Sequence, residues 1–193
     1  YPFGTQLDLL SEGYEGLRHS IYAKEPVEEF PRVVIGSSFC KHPYSASVLN
    51  ISAMSFGSLS KNAILALNRG AKKGDFYHNT GEGGLSDYHL EAGGDLVWQI
   101  GTGYFGCRTL DGHFDGEKFK EKAANTSVKM IEIKLSQGAK PGHGGVLPAI
   151  KNTEEIGRMR GIVPHKTVLS PPGHSKFNDA AGLIHFIQEL RTL

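Results

Sequence analysis

Short apolar runs alternate with helical patterns along this chain, and each run ends in a polar segment flanked by glycine. Val48-Leu49-Asn50-Ile51-Ser52-Ala53 reads as a strand covered on both faces. Ser58 or Ser60 caps a helix that carries Ala63, Ile64, Leu67 and Ala71 at helical spacing, and Gly74 stops it. A short segment, Asp75 to His78, precedes Asn79-Thr80-Gly81-Glu82-Gly83-Gly84. Leu96 to Ile100 reads as a second buried strand, and Asp115 caps a helix that runs to about Ala124. Val128 to Leu135 is the clearest strand, with Ile131, Ile133 and Leu135 on one face and Val128, Met130, Glu132 and Lys134 on the other. Thr153 to about Met159 is a short helix, and Asp179 to Leu190 is an amphipathic one. Such alternation predicts an α/β fold with a parallel sheet, in about four strand–helix units. The stretch before it, 1–47, holds Pro2, Pro26, Pro31 and Pro43 and reads as an irregular N-terminal arm. Phe3, Leu9, Leu10, Tyr14, Leu17 and Tyr22 give that arm residues to pack with. Residues 48–193 form the domain proper.

Composition narrows the function classes. The formal net charge is +1, so no global field draws the chain to nucleic acid, and no basic stripe with interleaved aromatics appears. No apolar run approaches the roughly 18 residues of a membrane span. The opening Tyr1-Pro2-Phe3-Gly4 lacks Met and a signal pattern, and reads as a cut or processed end. Cys40 and Cys107 form no metal-binding spacing. Two reduced thiols in a cytoplasmic protein is the plainer reading, with one disulfide as the alternative. No metal site is expected within the chain.

Glycine, at 25 residues, matters for where it falls. Ligands of α/β folds gather at the carboxyl ends of the strands. Four consecutive strand ends here carry Ala53-Met54-Ser55-Phe56-Gly57, Asn79 to Gly84, Gln99-Ile100-Gly101-Thr102-Gly103, and Lys134 through Gly145. Taken singly, each has a bland reading: turn glycines, a solvated Glu82, a Lys134 ion-paired to Glu132, and surface positions for Lys140 and His143. Together they suit a flavin, whose ring needs backbone and amide partners at one edge and a cation near N1 and O2. The backbone of Met54 and Ser55, with Gln99 and Lys134, supplies those types. Gln137, Lys140 and the Gly142–Gly145 backbone suit an anionic substrate beside the flavin.

The segments 52–60, 79–84 and 137–145, in that order, resemble the FMN-binding domain of glutamate synthases. Gly103-Tyr104-Phe105-Gly106-Cys107-Arg108, the opening Pro2-Phe3-Gly4-Thr5-Gln6, and His143 in the glycine loop are more similar to short, stand-alone glutamate synthase-like FMN proteins. The resemblance covers essentially the whole chain. It implies a (β/α)8 barrel of the TIM type, holding FMN at its carboxyl mouth. It also implies addition of ammonia to 2-oxoglutarate and hydride transfer to 2-iminoglutarate, giving L-glutamate. Carried over, Ala53, Met54 and Ser55 line the flavin edge, and Gln99 and Lys134 meet its pyrimidine side. Gln137 and Lys140 hold the substrate carboxylates, with Gly142, His143 and Gly144 in the same substrate loop. Glu82 and Lys134 are the candidate catalytic residues, Glu82 positioning ammonia or the imine.

A full barrel takes about 250 residues, so the resemblance implies that only its first half is present. The family's phosphate-binding glycines and the cysteine cluster for a 3Fe–4S centre belong to the other half. The chain is therefore expected to bind FMN weakly or not at all alone, and to be completed by the missing half or by homo-oligomerisation. Large glutamate synthases carry Glu and Gln where this chain has His143 and Val146. That opens an alternative amine substrate, with N-methylglutamate as product. A half-barrel interaction module without catalysis is the non-enzymatic alternative.

Overall fold

The computed structural model describes residues 8, 10–13, 16, 20–26, 28–138, 140 and 142–193. The chain divides into two compact units, residues 1–30 and 31–193. In the first, the Ser11 amide donates to the Asp8 carbonyl at 3.1 Å, closing a turn. Leu10 and Tyr22 are exposed rather than packed. Phe3, Leu9, Tyr14, Leu17 and the opening motif lie outside the described residues.

The second unit begins with an antiparallel hairpin that the irregular-arm reading missed. β1 (Arg32–Ile35) pairs with β2 (Tyr44–Ser47), Arg32 opposite Ser47. The β-branched run Val33-Val34-Ile35 was its signal, masked by the flanking prolines. Arg32 reaches Asp75 at 3.0 Å, and the Tyr44 hydroxyl donates to Asp95 at 2.8 Å. These two bonds tie the hairpin to loops at the amino ends of the main strands.

The main sheet is parallel, in the order β3 (His78–Asn79), β4 (Leu96–Ile100), β5 (Val128–Ile133). Beside β3, the expected strand over 48–53 shortens to one parallel bridge between Ile51 and His78. Three bonds hold it: Ile51 N–H to Tyr77, Asn79 N–H to Ile51 and Met54 N–H to Asn79, each 3.0 Å. It is not covered on both faces, since Leu49 is 68% exposed. This edge has a strand on one side only, and Asn50 and Ser52 alternate with its apolar residues. β5 likewise stops at Ile133, leaving Leu135 53% exposed. β4 is buried along all five of its residues, as are the two residues of β3. The parallel sheet is thus combined with helices in an α/β arrangement, and no closed barrel is present among the described residues.

Helix α1 (Lys61–Gly74) starts where the Ser60 hydroxyl accepts the Ala63 amide. Its buried face is Ile64, Asn68 and Ala71, and Asp75 ends it in the left-handed region at φ 52°. Unexpected from sequence, α2 (Asp87–Leu90) is a single turn with a reciprocal Ser86–His89 cap. α3 (Gly116–Ala123), α4 (Glu154–Arg160) and α5 (Ala180–Thr192) are capped by Asp115, Thr153 and Asp179. A small second hairpin, β6 (Val146–Leu147) with β7 (Val168–Leu169), was not anticipated either. The main core joins Leu96, Trp98 and Ile100 of β4 to Phe119 of α3 and Phe186 of α5, with Tyr104 between. Trp98 and Phe119 stack at 5.4 Å. Both cysteines are free, and burial pushes the Cys107 thiol up to about 12. No described helix is long and apolar enough to cross a membrane.

His78 of β3 and His89 of α2 are fully buried, rings 5.2 Å apart. Burial pushes both down to about 4, so each stays neutral in the folded chain at a pH where the unfolded chain binds a proton. Folding stability is then complete above about pH 6.5 and falls as the pH drops from there towards 4. We expect urea midpoints at pH 5 well below those at pH 7, and a shallower fall in His78→Asn; equal wild-type midpoints would refute this.

Candidate functional site

The turn that carries Glu82 is built by residues at the end of β3. Asn79 Oδ1 accepts the Gly81 amide at 3.0 Å, and Thr80 Oγ1 donates to the Gly81 carbonyl at 3.0 Å. The Thr80 hydroxyl also accepts the Gln99 amide at 3.1 Å, locking the turn to β4. Gly81 has φ +67°, and a Cβ there would sit 3.0 Å from the Ser55 nitrogen. Glycine is therefore what lets this turn close onto the 53–55 segment.

Glu82 is the hub. Gln137 Nε2 donates to both of its oxygens, at 2.6 and 2.7 Å, and Lys134 Nζ lies 3.0 Å from Oε2. Two glycines leave room for the carboxylate. A Cβ on Gly145 would come within 2.8 Å of its Oε1, and one on Gly101 within 2.8 Å of its Cβ. Segments from three strand ends and the 137–145 loop thus meet at one side chain. The rival pairing of Lys134 with Glu132 is not what forms. Both residues face one side of the strand, but Gln99 stands opposite Glu132 in register and its Nε2 donates to Glu132 Oε1. That leaves Gln99 Oε1 buried without a partner.

The remaining candidates fall around this hub. Ala53 edges an opening of about 430 Å³ and Ser55 a cavity of about 70 Å³, with Met54 between them in sequence. Met54 is pinned by its amide to Asn79 and by its carbonyl to His89 Nε2 at 3.0 Å. In the loop, the Lys140 amide donates to Gln137 and the His143 amide to Lys140. Lys140, Gly142 and His143 are exposed, and the Lys140 side chain makes no hydrogen bond or ion pair to Glu82 among the described residues. Ala139 and Pro141 lie outside the described residues. At Gly144 a Cβ would fall 1.9 Å from the Ser170 carbonyl oxygen. Its place in the motif is set by close backbone passage.

One residue of the site escaped the sequence reading. Arg160, only 6% exposed, lines the 70 Å³ cavity with Ser55, Glu82 and Ser170. Its Nη2 donates to the Phe56 carbonyl at 3.0 Å, its guanidinium lies over Phe105, and its Nε is buried without a partner. Burial pushes the guanidinium down, and the Glu82 carboxylate opposes that. The only sequence signal was its place four residues after Ile156, on the buried face of α4.

The chain is similar to proteins of one known family. The family described as the conserved region in glutamate synthase matches residues 21–193. The glutamate synthase large subunit-like protein YerD of Bacillus subtilis is 42% identical over 82% of this chain and 30% of its own length. The archaeal-type glutamate synthase [NADPH] of Thermotoga sp. (strain RQ2) is 39% identical over 71% of this chain and 25% of its own. The archaeal glutamate synthase [NADPH] of Methanocaldococcus jannaschii is 33% identical over 73% and 25%. The chain spans less than a third of the length of these relatives.

Gly144→Ala must displace the Ser170 backbone, whereas a Cβ on exposed Gly138 meets nothing within 4 Å. We expect Gly144→Ala to lower stability by about 1–3 kcal/mol in urea unfolding and Gly138→Ala to change it little; equal effects would count against this packing.

Proposed function

The chain belongs to the glutamate synthase family, and from that premise we propose that it supplies the first four β/α units of an FMN-binding (β/α)8 barrel. The reaction we propose for the complete protein is reductive amination of 2-oxoglutarate to L-glutamate by way of 2-iminoglutarate. The observation that carries this reading is the convergence of Lys134 and Gln137 on Glu82 beside the buried Arg160. An anionic substrate needs cations and amide donors held at fixed positions, and this cluster offers them at the carboxyl ends of parallel strands. The barrel portion would be residues 48–193.

The residues present fit a flavin. The buried, unpartnered Gln99 Oε1 is an acceptor waiting for an N–H. Lys134 offers a cation on the same sheet face, and Ala53 and Ser55 line two openings at the neighbouring strand end, with the Met54 backbone between them. Bound FMN would supply hydride to the imine carbon. The chain's own residues do the rest. Gln137 and Lys140 hold the carboxylates of 2-oxoglutarate, and Arg160 adds charge from the cavity wall. The Gly142–Gly144 backbone and His143 close the substrate loop. Glu82 accepts hydrogen bonds from ammonia or the imine once substrate draws Gln137 away from it. Completion of the barrel is supported by the uncovered edge of β5, where Ile131, Ile133, Leu183, Ile187 and Leu190 line an apolar groove of about 620 Å³.

Two measurements test this reading. In the complete polypeptide that carries this chain, FMN binding and amination of 2-oxoglutarate with ammonium are expected. Gln137→Ala should raise KM for 2-oxoglutarate about 10- to 100-fold through the loss of a hydrogen bond to a charged group. An unchanged KM would remove Gln137 from the substrate site. The 193-residue chain alone is expected to show no amination, and robust glutamate formation by it would overturn the shared-barrel reading.

A further inference from the structure

Two buried histidines outside the motifs reach back to the strand ends that carry the site. His89 Nε2 lies 3.0 Å from the Met54 carbonyl oxygen, and His174 Nε2 lies 2.8 Å from the Lys134 carbonyl oxygen. A carbonyl only accepts, so Nε2 carries the proton in both rings. The other nitrogen must then accept, and the surroundings agree. At His89, Nδ1 faces the Ser86 hydroxyl at 2.7 Å and the Ser86 amide at 3.3 Å. At His174, Nδ1 faces the Tyr104 hydroxyl at 3.0 Å, which itself accepts the Lys176 amide at 3.2 Å. Both hydroxyls are thereby fixed as donors to imidazole.

The two carbonyls need these partners. Met54 and Lys134 lie beyond the last ladder pairs of their segments, and among the described residues no backbone amide reaches either oxygen. Each histidine is itself held rigidly. His89 is fully buried in the capped turn of α2. His174 stacks on Phe177 at 4.7 Å and meets Tyr104 edge-on. Tyr104 adopts φ +49°, a left-handed conformation unusual for a tyrosine, and is 1% exposed. A strained backbone is kept here, and its hydroxyl is the one that sets the tautomer of His174.

We propose that His89 and His174 are paired positioning residues, each gripping the backbone of one wall of the flavin site through an Nε2–H bond to a strand-end carbonyl. This rests on the FMN reading above. His89 fixes the 53–55 segment, and His174 fixes the backbone from which the Lys134 ammonium extends. The proposal is specific to the donor at Nε2. Glutamine places an amide near Nε2, whereas asparagine places it near Nδ1, out of reach of the carbonyl.

The test uses the complete polypeptide and two readouts other than turnover: FMN affinity by fluorescence quenching and the reduction potential of the bound flavin. His89→Asn is expected to weaken FMN binding about tenfold, and His89→Gln to stay within about twofold of wild type. His174→Asn is expected to lower the flavin potential, because a displaced Lys134 no longer stabilises charge near N1 and O2. His174→Gln is expected to restore it. Asn and Gln variants that behave alike, or Gln variants that fail to fold by circular dichroism, would overturn the positioning role. Wild-type protein that binds no FMN would overturn the flavin reading itself, a result seen before any variant is made.

Discussion

Strand β4 is sealed on both faces, and everything that matters in the second unit is indexed to it. Its residues Leu96 to Ile100 pair in parallel with β3 on one side and β5 on the other. Trp98 anchors the helical layer through its stack on Phe119. Because parallel strands start their loops at one end, the ladder brings Glu82, Gly101 and Lys134 to a common rim. A shift of β4 by one residue would exchange its two faces, turning Gln99 away from Glu132 and Trp98 away from the core shared with Phe119. The site is therefore a consequence of register before it is a consequence of side-chain chemistry.

At that rim, charge is balanced locally. One carboxylate, Glu82, is shared by an ammonium and an amide, with a buried guanidinium nearby. The Lys134 ammonium and the Gln137 amide both have Glu82 as acceptor, and the pairing is open to exchange because those donors can turn to another carboxylate. Among the buried polar atoms without a partner in the described residues are Gln99 Oε1 and Arg160 Nε. Buried polar atoms of this kind are costly to leave alone. Arg160 shares its small cavity with Glu82, while the Gln99 amide is turned to Glu132.

Much of this was legible in the chain because it rests on local chemistry. The caps at Ser60, Asp115, Thr153 and Asp179 are hydroxyl and carboxylate signals with fixed geometry, and the helices begin where they stand. Glu82, Lys134 and Gln137 stood out because glycine flanks each segment. What escaped depends on distant partners. The β1–β2 hairpin is held by Asp75 and Asp95, which no local pattern reveals. The 48–53 run looked buried from its apolar content, but burial is decided by what lies beside it, and among the described residues only β3 pairs with it. Arg160 reads as an ordinary helix arginine until α4 is docked against Phe56 and Phe105.

The glycine-rich motifs and the two histidines answer the same physical problem from opposite sides. A strand end has lost its ladder, so its backbone must be both approachable and fixed. Glycine makes it approachable: at Gly81, Gly101 and Gly145 a methyl group would already collide with Ser55 or Glu82. Fixing it requires bonds from outside the motif, since glycine itself contributes no side chain and widens the backbone's choices. His89 and His174 are placed where such bonds are needed, each buried and each with its second nitrogen engaged. A motif of this kind cannot be transplanted alone: moved without its supporting turn and loop, it would keep its spacing and lose its shape.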